Sequence, residues 1–188
     1  MQLSDAELVQ EYCRSGDLRA AGELVDRHAA PVHRFLWQML RQQQDCEDAS
    51  QETFRKVLRA LPQYQERERF ASWVFRIARN EGLAVLRKRG RFLPDETETG
   101  SRAERTAAPH PSSAERVALR EEVQKVDEAI SELPTAEKEV VLLRLRENLD
   151  FREIAEITHS PLNTVLGRMH RARQKLKKAI EPTAATPS

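Results

Sequence analysis

The stretch DFREIAEITHSPLNTVLGRMHRARQKLKK, residues 150–178, is the part of the chain on which the fold turns. Asp150 followed three residues later by Glu153 is a capping box, so a short helix, FREIAEI, should begin there. His159 and Ser160 interrupt it tightly. Ser160 is a good N-cap residue, and Pro161 suits the first position of a new helix. In that second helix Leu162, Val165, Met169, Ala172 and Leu176 recur at steps of three and four, which builds one apolar face. The opposite face carries Asn163, Gly167, His170, Arg171 and Gln174, with Arg168 at its edge. A short helix, a tight turn and a second helix with a polar, basic outer face form a helix-turn-helix pattern. Its second helix would enter the major groove of DNA, with residues near its N-terminus meeting base edges. Without the basic face an ordinary helical hairpin would be the better reading.

Toward the N-terminus the same block continues as helix. A helix from about Ser113 would place Val117, Val123, Val126 and Ile130 inward. Pro134 breaks the chain, and Thr135 is expected to cap a further helix whose apolar residues are Val140, Val141, Leu143 and Leu145. Residues 95–113, DETETGSRAERTAAPHPSS, contain no Val, Ile, Leu, Met, Phe, Trp or Tyr. Such a stretch cannot bury enough apolar surface to offset its ordering entropy, so residues 93–113 are expected to form a flexible linker. Residues 181–188 should be a disordered tail on the same grounds.

On the far side of the linker, residues 1–92 read as a second helical unit. Ser4 and Glu7 make another capping box ahead of Leu8 and Tyr12. Pro31 is expected to open a helix carrying Val32, Phe35, Leu36 and Met39. A third helix, about Glu47 to Ala60, has an apolar stripe of Ala49, Thr53, Phe54, Val57, Leu58 and Leu61, and Pro62 stops it. A fourth begins near Phe70, with Val74, Ile77 and Ala78 inward and Arg76, Arg79, Asn80 and Arg87 on its outer face. The predicted fold is therefore all-α: two small helical domains, an N-terminal bundle (1–92) and a C-terminal four-helix domain with a helix-turn-helix (114–180), joined by the linker. Only 6 glycines and 5% aromatic residues, with few β-branched runs, agree with helix rather than sheet.

Charge is unevenly spread. The formal net charge is only +1, yet residues 76–91 hold Arg76, Arg79, Arg87, Lys88, Arg89 and Arg91 against Glu81 alone. Residues 161–178 hold Arg168, Arg171, Arg173, Lys175, Lys177 and Lys178 with no acid. Two basic segments on a near-neutral chain point to two footprints on a polyanion, with a pair of solvated helix faces as the plainer alternative. Cys13 and Cys46 lie far apart without metal-type spacing, which fits free thiols in a reducing cytoplasm. Met1 leads into Gln2, Ser4, Asp5 and Glu7, unlike a signal peptide. No apolar stretch approaches the ~18 residues that cross a bilayer, so no membrane insertion is expected.

Taken in order, these segments resemble the small two-domain sigma factors of bacterial RNA polymerase, the extracytoplasmic-function (ECF) group. EDASQETFRKVLRAL (47–61) is similar to the family's acidic helix, and FASWVFRIARNEGLAVLRKR (70–89) to its promoter-opening helix. LPTAEKEVVLLRLRENLDFREIAEI and PLNTVLGRMHRARQKL are similar to its promoter-binding helix-turn-helix. The resemblance implies an alternative sigma factor, a non-catalytic subunit that binds core RNA polymerase and directs promoter recognition, DNA melting and initiation in the cytoplasm. It implies core-polymerase binding by Asp48, Gln51, Glu52 and Arg55. It implies binding of the −10 element by Tyr64, in the loop PQYQERER, and by Trp73, Arg76, Arg79, Asn80 and Arg87. The −35 element would fall to Asn163, Thr164, Leu166, Gly167, Arg168, His170 and Arg171. Promoter DNA, core polymerase and an anti-sigma factor are the implied partners, with no cofactor and no metal. The chain departs from the family pattern at Ala84-Val85, where an Asp and an aromatic are common. It departs also at His159 in the turn, and at Leu166-Gly167 in the recognition helix.

Two other readings compete. An operator-binding regulator would explain residues 150–178 but leaves 47–61 and 70–91 without a role. A helical hydrolase would need a metal cluster, for which His28, His33, Asp45 and Asp48 are the candidates, at a spacing that fits no familiar ligand motif.

Overall fold

The structure is a computed structural model, and it describes residues 3–65, 69–90 and 125–180. The expected linker 93–113, the tail 181–188 and the helix start near Ser113, with Val117 and Val123, lie outside the described residues. Among the described residues every regular element is helical. None of these helices is long and apolar enough to cross a membrane.

The N-terminal block comprises α1 (Asp5–Ser15), α2 (Leu18–Leu40), α3 (Gln43–Ala60), a 3-10 turn (Leu61–Gln63) and α4 (Phe70–Lys88). The capping box of Ser4 and Glu7 opens α1, with Ser4 N donating to Glu7 Oε2 at 2.6 Å. The sequence predicts a helix opening at Pro31, but Pro31 lies inside α2, which Asp17 caps fourteen residues earlier. A proline inside a helix forfeits one backbone hydrogen bond. Here Ala20, Ala21, Leu24, Val32, Phe35, Leu36 and Met39 are all buried along the one helix, and their continuous apolar face outweighs that loss. Helix α3 likewise starts a turn earlier than expected, and it ends at Ala60 just before Pro62.

Helices α2, α3 and α4 share a core in which Phe35 meets Phe75 edge to face at 5.5 Å. Gly82 permits close approach of α4 to α2, because a Cβ there would come within 3.1 Å of Met39 Cε. At the far end Arg89 donates to Leu40 O at 3.0 Å and pairs with Asp45. That contact satisfies a carbonyl at the C-terminus of α2. Asp5 holds α1 to α2 through Arg27 at 3.0 Å and His28 Nε2 at 2.7 Å.

The C-terminal block comprises residues 125–131, here α5, then α6 (Thr135–Leu145), α7 (Phe151–Thr158) and α8 (Leu162–Ile180). Thr135 does not cap α6 as predicted. Pro134 occupies the cap position, without a side-chain bond, and Thr135 is the first helical residue. The Asp150–Glu153 capping box forms as read, with Asp150 Oδ1 accepting from Arg152 N at 2.8 Å and Glu153 N at 2.9 Å. His159 closes α7 in the left-handed region at φ 50°. Ser160 turns its hydroxyl to Thr158 O and receives Arg168 Nη1 at 2.9 Å. Helix α6 is the centre of this block. Residues 137–143 are buried without a break, whereas Leu145, the last of the apolar residues read in this helix, is 61% exposed. The two blocks touch where α7 lies on α4 and α6 meets α2.

Candidate nucleic-acid interface

Helix α8 divides as its periodicity predicts. Val165 and Ala172 are buried, Met169 and Leu176 are partly buried, and Leu162 at the near end is 39% exposed. The outward face presents Asn163, Thr164, His170 and Arg171 to solvent, with Leu166 at 41% exposure and Gly167 and Arg168 half-buried. Gly167 leaves a gap in this face that a Cβ would narrow to 3.5 Å from Arg171 Nη1. Arg171 remains largely exposed while its Nε donates to Glu137 Oε1 at 3.1 Å, and Lys175 lies 3.0 Å from the same carboxylate. Glu137 thus holds two α8 cations from beneath. It fixes their orientation without covering the face. Six polar or small residues beside one exposed leucine, on a helical surface free of acids, suit an anionic, grooved partner.

The residues expected at the −10 element are placed less uniformly. Tyr64 packs on Trp73 at 4.8 Å and on Phe70 at 5.6 Å, forming an aromatic group just before and within the first turn of α4. Both rings remain partly exposed. Asn80 and Arg87 are exposed, and Arg87 Nε reaches Leu83 O at 3.3 Å. Arg76 is half-buried. Arg79, predicted on the outer face of α4, is only 12% exposed. Its Nε donates to Glu139 Oε2 on α6 at 3.0 Å. The correction has a plain cause: the face reads as solvent-exposed only while the N-terminal block is considered alone, and the second block covers it.

On α3, Asp48, Gln51 and Arg55 are exposed and Glu52 half-buried, so the four expected polymerase contacts share one accessible side. Arg55 Nε grips Glu52 Oε2 at 2.6 Å and holds its carboxyl below the usual range, and Gln44 steadies Asp48 at 3.1 Å. Leu58, counted in the apolar stripe, is instead 38% exposed, close to these charges along α3. An exposed leucine among mixed charges suits a protein partner better than DNA.

Two of the metal candidates are taken up by ion pairs. His28 is engaged by Asp5 and Asp45 by Arg89. Among the described residues no group of three or more His, Cys, Asp or Glu is arranged to hold a metal ion.

Sequence reasoning missed the charged residues at the start of α6. Glu137, Lys138 and Glu139 are 5%, 8% and 1% exposed, although all three are ionisable. Burial pushes the Glu139 carboxyl up, against the opposing pull of Arg79 and Arg168. Burial, aided by the Arg41 guanidinium, pulls the Lys138 ammonium down to about 8. A signal was present. The unbroken apolar run 140–143 belongs to a helix packed on all sides, and the charges immediately before it share that environment.

Residues 24–92 match Sigma-70 region 2, and residues 123–176 match Sigma-70, region 4. Region 2 followed by region 4 defines the class, that of Sigma-70-type initiation factors. The chain is 33% identical over 186 residues to the RNA polymerase sigma-H factor of Pseudomonas aeruginosa, which covers 96% of each protein. It is 32% identical over 186 residues to the ECF RNA polymerase sigma-E factor of Haemophilus influenzae, covering 96% of this chain and 97% of that one. This chain belongs to the ECF family of RNA polymerase sigma factors, and it is an alternative sigma factor of transcription initiation. Its fold is similar to that of CnrH in a complex with the cytosolic domain of CnrY. The TM-score there is 0.68 at 25% identity, over 96% of this chain and 99% of the other. It is similar in fold also to the sigma factor RpoE of Bartonella quintana, solved with the anti-sigma factor NepR. That match has a TM-score of 0.65 at 20% identity, over 86% and 97% of the two chains.

Proposed function

We propose that this chain acts as the promoter-specificity subunit of bacterial RNA polymerase through three surfaces. Asp48, Gln51, Glu52 and Arg55 on α3 dock on core polymerase. Tyr64, Trp73, Arg76, Arg79, Asn80 and Arg87 receive the −10 element as it melts, with the aromatic rings as stacking platforms and the cations on phosphates. Asn163, Thr164, Leu166, Gly167, Arg168, His170 and Arg171 on α8 bind the −35 duplex, where Leu166 offers an apolar contact to a thymine methyl and the arginines meet guanine or phosphate. The two domains, 1–92 and 114–180, are joined by residues 93–113, which lets them span the spacer between promoter elements.

The observation that carries this reading is α8 itself. It is an exposed, acid-free basic face on the second helix of a helix-turn-helix, in the same chain as a region 2 helical block. The chain makes and breaks no bonds. Its work is binding, in the cytoplasm, and it takes an anti-sigma factor as a second protein partner. The solved relatives with CnrY and NepR support that last point, and size-exclusion chromatography after co-expression with a neighbouring candidate tests it. Separate elution removes that candidate.

The function is tested by adding the purified protein to sigma-free core polymerase and transcribing genomic fragments of the host. Stable association and new, specific transcripts are expected. Binding to DNA without any association with polymerase would overturn the reading and leave an operator-binding regulator in its place.

A further inference from the structure

A cleft of about 400 Å³ opens where the end of α2 and the start of α3 face Asp127 and Arg146. That is the size of a small-molecule site. None of its lining residues belongs to the three surfaces assigned above. Arg34, Trp37 and Gln38 line it from α2 at helical spacing, and Arg41, the residue that closes α2, stands a turn beyond them.

Arg41 carries two costs that the fold alone does not explain. Its backbone is in the left-handed region at φ 53°, where a side chain is disfavoured and glycine or asparagine is the usual helix end. Its guanidinium is half-buried, and Nη2 reaches only neutral acceptors, the Gln38 amide oxygen and Asp127 O, the latter at 3.3 Å. Nε is buried with no hydrogen-bond partner. The neighbouring Asp127 carboxylate is paired instead with Arg146. Burial pulls the Arg41 pKa down against the attraction that Asp127 still exerts, and Lys138, itself buried, adds a like charge. A buried donor without an acceptor is destabilising, and an anion in the cleft would supply the acceptor.

The other lining residues narrow the class of anion. Two guanidiniums, Arg34 and Arg41, present planar forks that match a phosphate, and Trp37 between them offers a planar apolar surface to a ring. The three lining arginines face two carboxylates, Glu47 and Asp127, so the excess of positive charge is small and suits one phosphate better than a chain of them. Glu47 is a further acceptor, suited to sugar hydroxyls. We propose that this cleft is a binding site for a mononucleotide, with the base against Trp37 and the single phosphate on Arg41 and Arg34. A free nucleotide and one nucleotide of a single strand share this chemistry.

The test uses the full chain with isotope-labelled tryptophan. Its two indole N–H signals belong to Trp37 and Trp73, and W37F assigns them. Titration with adenosine monophosphate should move the Trp37 signal saturably and leave that of Trp73 in place. Adenosine and inorganic phosphate, each offering half of the ligand, should bind about tenfold more weakly or worse. R41Q and R34Q should each weaken the nucleotide, R41Q by about tenfold and R34Q several-fold. Arg34 is exposed, so R34Q reads the effect even where R41Q disturbs the end of α2. A single-stranded adenylate trinucleotide separates the sources: movement of the Trp37 signal at lower concentration than the mononucleotide requires assigns the site to a strand, and any weaker response assigns it to a free nucleotide. A Trp37 signal that neither ligand moves, inorganic phosphate binding as tightly as the nucleotide, or unchanged affinity in R34Q and R41Q would each overturn the inference. Neither polymerase nor promoter enters this measurement, so its failure leaves the sigma-factor function standing.

Discussion

At Lys138 a primary amine sits 8% exposed on α6, near Arg41 and without a carboxylate bonded to it. Its folded pKa of about 8 lies below the ordinary 10.5, so the unfolded chain binds that proton more tightly. The penalty is therefore complete below about pH 8 and is relieved as pH rises toward 10.5. Urea melts of the native protein should show stability increasing across that window. K138M should flatten the increase and add about 2 kcal/mol near neutrality, within the range found when buried charges give way to apolar side chains. A variant as sensitive to pH as the native protein would remove Lys138 as the cause. Arg171 poses the opposite case, a cation 57% exposed and merely steadied by Glu137. R171A is expected to weaken −35 duplex binding about tenfold and to lower the salt slope by about one, with association to core polymerase unchanged. Gel shifts at several salt concentrations measure both quantities. Undiminished affinity would take Arg171 out of the DNA face.

At the scale of the element, α7 has eight residues and depends on its ends. An isolated helix so short is marginal in water. Asp150 supplies two amide contacts at its N-terminus, and those bonds keep the Asp150 carboxyl below its ordinary range. D150A should cost about 1 kcal/mol by thermal melting, while D150N, which can still accept from the amides, should cost less. Equal losses would mean that the carboxylate charge, rather than the cap, stabilises α7. Capping boxes, the apolar face of α8 and the stop of α3 before Pro62 were all legible in the sequence because their causes lie within a turn or two of chain. The start of α2 was not legible, because a helix through Pro31 is sustained by packing on α3 and α4 that no local pattern announces.

For the whole molecule, the proposed function has two basic surfaces on separate blocks act on one DNA. Promoter affinity of the assembled polymerase should therefore fall steeply with salt, roughly a thousandfold between about 50 and 200 mM if six phosphates are neutralised. Filter binding at graded salt measures this, and a shallow slope would restrict the DNA contacts to one block. The sequence by itself determined the all-α composition, the order of the helices, the helix-turn-helix and the two basic segments. Each rests on short-range periodicity, capping or charge. Only the tertiary structure decided that Arg79 pairs with Glu139 and that Ser72 meets Glu153. Those pairings join residues 60 and 81 positions apart. The side chain that a helix face meets at such a distance is set by how the blocks pack, and no pattern within either helix records it.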